Sequence, residues 1–316
     1  MPSQTEAGKA FEFALLSEAC KQLSKHTQVI VLEDTSWTVA QNAFNLFTET
    51  EQHNYTKAAH EAIKHIREIE PRLASGHSLQ DTLTLQLVTD REGIKGDVRD
   101  LLFIRSMQKW EIGISAKNNH KAVKHSRLSD KIDFGKEWLG LNSSKEYFDT
   151  VLPIFKELRQ LKESNYLWRD LPNKHQRFYL PILHAFRKEL IRLDKENTQL
   201  VPARLLKYLI GHNDFYKVIK RSKQTEIIGF HLHGTLNKPA ATIKPKFKVP
   251  QLKLPNRIIE MSFKKNSTDT LLLTCDEGWQ ISFRIHNASS KVEPSLKFDI
   301  NLIGQPQTLY THHLHW

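Results

Sequence analysis

Between residues 110 and 117 the chain alternates strictly, with Trp110, Ile112, Ile114 and Ala116 on one face of an extended backbone and Glu111, Gly113, Ser115 and Lys117 on the other. A period of two excludes a helix, so this stretch is a strand with one apolar and one polar face. The shorter apolar run 101–104 precedes it closely enough for a hairpin. A four-residue loop, 105–108, pairs Ile104 with Lys109 and sets Asp100 opposite Gly113, on the face of Glu111, Ser115 and Lys117. Register decides what this face can do, because a slip of one residue turns Asp100 to the apolar side. Gly113 leaves room there for a phosphate or a metal.

Metal-assisted phosphodiester hydrolysis needs a carboxylate on a hard cation, a main-chain carbonyl as a further oxygen ligand, and a lysine near the attacking water. Asp100, the Ala116 carbonyl and Lys117 are residues of those kinds. Asp100 followed by Ser115-Ala116-Lys117 resembles the PD-(D/E)xK nucleases. Two positions depart from that motif: Arg99 stands where it often has proline, and Ser115 replaces its second acid. Glu111 is one substitute, but four residues at ~3.3 Å each put it roughly 13 Å from Ser115, so a bulge would be required. Glu12, in GKAFEFALL, can arrive from a helix beside the hairpin, and nucleases of this superfamily often carry a glutamate there. Glu12 therefore ranks above Glu111. Asp97 reads as a turn residue at the strand entry.

The 316 residues suit one large or two ordinary domains. Apolar spacing predicts helices over 7–23 and 56–69, strands over 29–32 and 82–89, and a polar, mostly basic helix from Asn119. Helices follow over 146–162, 175–194 and 202–210, the last stopped by Gly211. The final third is strand-rich, with runs at 215–219, 226–233, 257–264, 270–274, 279–286 and 296–303. The expected class is α/β (α+β): a PD-(D/E)xK-like core of mixed sheet flanked by helices over 1–211, and a strand-rich, basic DNA-recognition region over 212–316. The terminal His312-His313-Leu314-His315 looks like a metal tract but reads better as a frayed tail.

The formal net charge of +11 is concentrated: between residues 217 and 265 stand 12 lysines or arginines and two acids. Such a patch suits a polyanion backbone. Lys217 and the lysines of the proline-broken run, Lys244, Lys246 and Lys248, are candidate phosphate contacts, against the alternative of a solvated linker. In the expected helix after the hairpin, Asn119, Lys124, His125 and Arg127 are placed for phosphate or base contact. Arg284, His286, Asn287, Ser289 and Lys291 crowd donors onto a strand end, and arginine, asparagine and lysine are the side chains that read guanine and adenine edges. No run of eighteen apolar residues or signal peptide occurs, which points to a cytoplasmic protein without a membrane partner. Cys20 and Cys275 lack metal-ligand spacing and read as reduced packing residues. No glycine loop for a nucleotide is present, so ATP dependence has no support.

GDVRDLLF, WEIGISAKNNHKAVKHSRLS, KIDFGKEWLG, HNDFYKV and SFRIHNASSKVEPSLKFDI together resemble the HaeIII family of type II restriction endonucleases. The central block is specific, whereas the last segment is similar to other restriction enzymes too. The resemblance implies Mg²⁺-dependent cleavage of double-stranded DNA at GGCC, between the central G and C, without ATP. On this reading Asp100 and Glu12 hold Mg²⁺ with the Ala116 carbonyl while Lys117 orients the water or stabilises the developing charge. A palindromic target implies a homodimer, and a cognate DNA methyltransferase acts on the same site without needing to bind. Two other readings are a structure-selective repair or junction nuclease, and a DNA-binding protein whose nuclease face is vestigial. Ser115 in the acid position is what keeps the last one open.

Overall fold

The computed structural model describes residues 2–76, 80–89, 97–119, 124–241 and 243–316, with only the backbone of His125. The chain folds into two compact units, each discontinuous in sequence.

The first unit comprises Met1–Lys121, Gly211–Leu252 and Thr308–Trp316. Its sheet has seven strands in the order β1 (Val29–Val31), β2 (Leu83–Leu87), β3 (Leu101–Arg105), β4 (Trp110–Asn118), β6 (Phe215–Lys220), β7 (Gln224–Phe230) and β12 (Tyr310–His315). The β1–β2 and β4–β6 pairs are parallel and the others antiparallel. Helices α1 (Gln4–Leu23), α2 (Thr35–Asn45) and α3 (Glu49–Ile69) complete the unit. Helix α1 opens with a capping box: the Ser3 hydroxyl accepts from Glu6 N–H while the Glu6 carboxylate accepts from Ser3 N–H. It buries Ala10, Phe11, Ala14, Leu15 and Ala19, and packs on β4. Helix α3 buries Ala59, Ile63, Ile66 and Ile69, as their spacing predicts.

The second unit comprises Ala122–Ile210 and Lys253–Gln307. Its antiparallel sheet runs β5 (Lys124–Ser129), β11 (Ser295–Gly304), β10 (Gln280–His286), β9 (Thr270–Cys275) and β8 (Ile258–Phe263), accompanied by α4 (Lys145–Glu163), α5 (Leu180–Glu196) and α6 (Val201–Ile210). An aromatic core of Phe134, Trp138, Phe186, Phe283 and Phe298 holds these layers together.

Four expectations change. The polar run after the hairpin contains a strand, β5, where a helix was expected, because Ser126 and Leu128 alternate inward against β11. The strand-rich third is divided: β6, β7 and β12 finish the first unit's sheet, the chain crossing from the second unit to the first between Ile210 and Gly211, so neither unit is a single stretch of sequence. The C-terminal histidines are not a frayed tail. They form β12 against β7, and the His312 ring stacks on His65 at 4.1 Å. Finally, the proline-broken basic run is tied down: Val249 is buried with its N–H donated to Asn237, Lys246 N–H is donated to the Glu68 carbonyl, and Leu252 N–H to the His231 carbonyl. Both cysteines are free thiols. Among the described residues no helix is long and apolar enough to cross a membrane.

Candidate active site

The hairpin closes two residues later than its loop length suggested, with Leu102 opposite Gly113 and Ile104 opposite Glu111. That pairing ends at Leu101 opposite Ile114, so Asp100, the next residue outward, lies beside 114–116 and not opposite Gly113. A shift of two leaves every side chain on its face, so the polar face survives the correction. Asp100 N–H is donated to the Ile114 carbonyl at 2.7 Å, which anchors the residue at the strand entry.

Asp100 Oδ2 gathers three donors: Ala116 N–H at 2.7 Å, Lys117 Nζ at 3.0 Å and Ser115 Oγ at 3.3 Å. In an extended strand a residue's N–H and C=O point to the same neighbour, so the Ala116 carbonyl shares the edge that faces Asp100. Glu12 comes from α1 and is buried. Burial first, and then the Asp100 carboxylate, push its carboxyl up to about 7, although Lys9 Nζ lies 3.1 Å away. Two carboxylates, a carbonyl and a lysine thus meet at one end of β4.

Gly113 does not make room for a ligand. A β-carbon there would stand 2.3 Å from Arg99 Cδ, so the glycine lets the Arg99 side chain cross the strand. Arg99 grips the Asp97 carboxylate through Nε and Nη2 and reaches Glu111 at 2.5 Å through Nη1. Asp97 is therefore an ion-pair partner of Arg99 beyond its turn role. Glu111 is committed to the same arginine, and the β3–β4 pairing from Leu101 to Arg105 runs without a bulge that would bring it toward Ser115.

The donor set at Asp100 and Glu12 is all oxygen. Among the described residues no three His, Cys, Asp or Glu side chains converge, so a cation here would have two carboxylates and a carbonyl available and would need water for its remaining positions. That is the habit of Mg²⁺, which dehydrates reluctantly, and not of zinc, which takes nitrogen and sulfur. A divalent charge would also oppose the burial and the Asp100 repulsion that raise the Glu12 carboxyl. The residues fit a hard cation.

Lys217 is the position whose environment the sequence misread. Expected on a surface phosphate patch, it lies on β6 directly beside Ser115 and is 4% exposed. Burial, with Lys117 adding to it, pulls its ammonium down to about 7. A single lysine inside the apolar run Phe215-Tyr216-Lys217-Val218-Ile219 was the available signal. Lys124 is likewise not a surface group: it is half-buried, donates to the Tyr208 carbonyl at 2.8 Å and covers the Tyr208 ring. Arg127 is exposed but meets Glu293 and Ser295. The His125 side chain lies outside the described residues, and Asn119 is exposed with a positive φ of 58°.

At the end of β10 the donors differ in availability. The Asn287 amide is spent, donating to the Ser289 carbonyl and accepting from Tyr179. Ser289 Oγ turns back to the Lys291 carbonyl, and His286 lies between the Asn287 carbonyl and Asp299. Arg284 alone of this group combines a long exposed side chain with a loose partner, Asp269 at 3.8 Å. In the basic run Lys244, Lys246 and Lys248 are exposed, Lys246 reaching Glu68 at 3.1 Å.

Glu12 has a measurable signature apart from catalysis. Its folded-state pKa of about 7 exceeds the ordinary 4.5, so the folded protein keeps a proton that the unfolded chain loses. Stability contributed by this group therefore falls as pH rises from 4.5 to about 7 and is flat above that. Without divalent cation, Glu12→Gln gains on the order of 2 kcal/mol over the parent near pH 8 and almost nothing near pH 4. Urea unfolding at the two pH values checks it; the same difference at both refutes an uncompensated buried carboxyl. The same variant should be nearly inactive, whereas Glu111→Gln should keep appreciable cleavage, and the reverse ranking would make Glu111 the ligand.

A family model described as HaeIII restriction endonuclease matches residues 8–306 of the chain. The type II restriction enzyme HaeIII of Haemophilus aegyptius is 43% identical over 312 residues, covering 98% of this chain and 97% of that protein. No solved structure matches.

Proposed function

The chain belongs to the HaeIII restriction endonuclease family and is a type II site-specific endonuclease acting on DNA; from that premise we propose that it hydrolyses double-stranded DNA at GGCC, between the central G and C, with Mg²⁺. The observation that carries the chemistry is the meeting of Asp100, Ala116 and Lys117 at one strand end with the buried Glu12 of α1. Asp100, Glu12 and the Ala116 carbonyl would hold the cation. When bound, Mg²⁺ supplies Lewis acidity toward the phosphate and lowers the pKa of a coordinated water. Lys117, on Asp100 at 3.0 Å, places a positive charge beside the phosphate oxygens as charge develops on them. Ser115 donates to Asp100 and so orients the carboxylate in place of contributing a second acid.

Reading of the site falls to exposed donors, Arg284 foremost among them, while Lys244, Lys246 and Lys248 suit sequence-independent phosphate contact. A palindromic target favours a homodimer with two equivalent active sites. The 43% identity to a restriction enzyme also supports a cytoplasmic protein paired with a DNA methyltransferase of the same specificity. Digestion of phage DNA with Mg²⁺, followed by end-sequencing of the fragments, tests the whole proposal. The expected result is discrete bands with every end inside GGCC. Cleavage restricted to branched substrates makes it a structure-selective nuclease; no cleavage, with DNA binding retained, makes the face vestigial.

A further inference from the structure

At the hairpin end of β4, away from Ser115 and Lys117, the first unit contains a cleft of about 530 Å³. Its acids are already spent. Asp214 accepts the N–H groups of Leu232, His233 and Thr235 together with the Thr235 hydroxyl, and Glu111 is held by Arg99. Its cations are not. Arg72, Lys109 and Lys238 line the cleft, and no acid among the described residues forms an ion pair with them. Arg72 donates Nε to the Pro239 carbonyl, and its charge also acts on the buried Glu70 carboxyl. The wall includes Trp110, 5% exposed, whose indole N–H has no partner among the described residues.

The lining carries Arg72, Arg99, Lys109 and Lys238 against Glu111 and Asp214, and this excess of two positive charges around a concavity favours an anion, because the low-dielectric walls concentrate their field inside it. The volume exceeds what an isolated ion needs and suits a phosphoryl group with its sugar. We propose that this cleft binds a phosphoryl group of the DNA backbone outside the recognition sequence, held by Arg72, Lys109 and Lys238. Trp110 and Ser115 are five residues apart on one strand, which is ~17 Å. A duplex laid along β4 advances ~3.4 Å per base pair, which would set the phosphate in the cleft about five base pairs from the one at Asp100, beyond a short site cut at its centre. That spacing rests on the proposed active site; the charge argument does not.

The test uses the exposed pair in a Lys109→Gln/Lys238→Gln variant of the full chain, with binding isotherms at several salt concentrations and no divalent cation. Cleavage then plays no part, so a wrong assignment of Asp100 or Glu12 leaves the result intact. On a duplex carrying about ten base pairs on each side of the site, the variant is expected to bind roughly tenfold more weakly at low salt. Its plot of log K against log salt should be shallower by about two units. On a duplex trimmed to about two flanking pairs it should match the parent. A second arm measures the melting temperature with deoxyadenosine monophosphate. If the nucleotide raises the parent's melting temperature but not the variant's, while both duplexes bind the two proteins alike, the cleft is a phosphoryl site supplied by free nucleotide. Equal losses on long and short duplexes, or no change in either arm, would overturn the site.

Discussion

Asp100→Asn should lower the cleavage rate at least about a thousandfold while leaving the affinity for cognate duplex within a few fold. The asparagine can still accept from Ala116 N–H and Lys117, so the strand entry keeps its shape. It loses the negative charge that would hold the cation and match the Lys117 ammonium. Lys117→Ala removes the other half of the pair and should cost about 10²–10³ in rate, the usual loss for one preorganised charge at a transition state. The two losses should not add, because each variant disables the same arrangement. Single-turnover cleavage with Mg²⁺, paired with binding isotherms without it, separates chemistry from affinity. Normal turnover by either variant would remove these residues from the reaction, and parallel collapse of binding would assign them to holding DNA.

A second large effect is expected at Arg105, where no chemistry is proposed. Its side chain is fully buried, donating to the carbonyls of Arg72, Leu73 and Asp81 and to Thr27 Oγ1, with the buried Asp81 carboxylate at 3.8 Å. Arg105→Met would leave those carbonyls without their donor and remove the guanidinium 3.8 Å from Asp81. Breaking one partner of such a buried arrangement costs about 3–5 kcal/mol. In a chain of this size that is a fall in melting temperature of roughly 5–15 °C. Arg105→Lys should recover little, because three donors on a point charge cannot span acceptors that a planar fork reaches together. Thermal and urea unfolding check this; a methionine variant within about 1 kcal/mol of the parent would refute the anchoring role.

Arg105 also illustrates what the sequence conceals. Its carbonyl partners belong to segments up to 33 residues away, and no local pattern distinguishes it from a solvated arginine. The same holds for Lys217. Its place in the run 215–219 identifies a strand, but only the parallel pairing of β6 with β4 puts it beside Ser115. Glu12 lies between these cases. The helix and its buried face follow from spacing, and the family resemblance pointed to the residue, yet its raised pKa comes from the packing of α1 on the sheet.

What the sequence by itself determined is local and periodic: the alternation over 110–117, the helical spacing of α1 and α3, and a polar face shared by Asp100, Ser115 and Lys117. These survive even a two-residue error in register, because side-chain direction in a strand depends only on parity. Parity is a property of the chain. What faces Asp100 across the hairpin, what fills the space over Gly113 and which strands complete the sheet depend on neighbours distant in sequence. Only the tertiary structure decided that Arg99 occupies that space, that β12 closes the sheet as its edge, and that Lys124 packs on Tyr208. Each outcome is set by competition among partners for the same surface, and that competition has no signature within a single stretch of sequence.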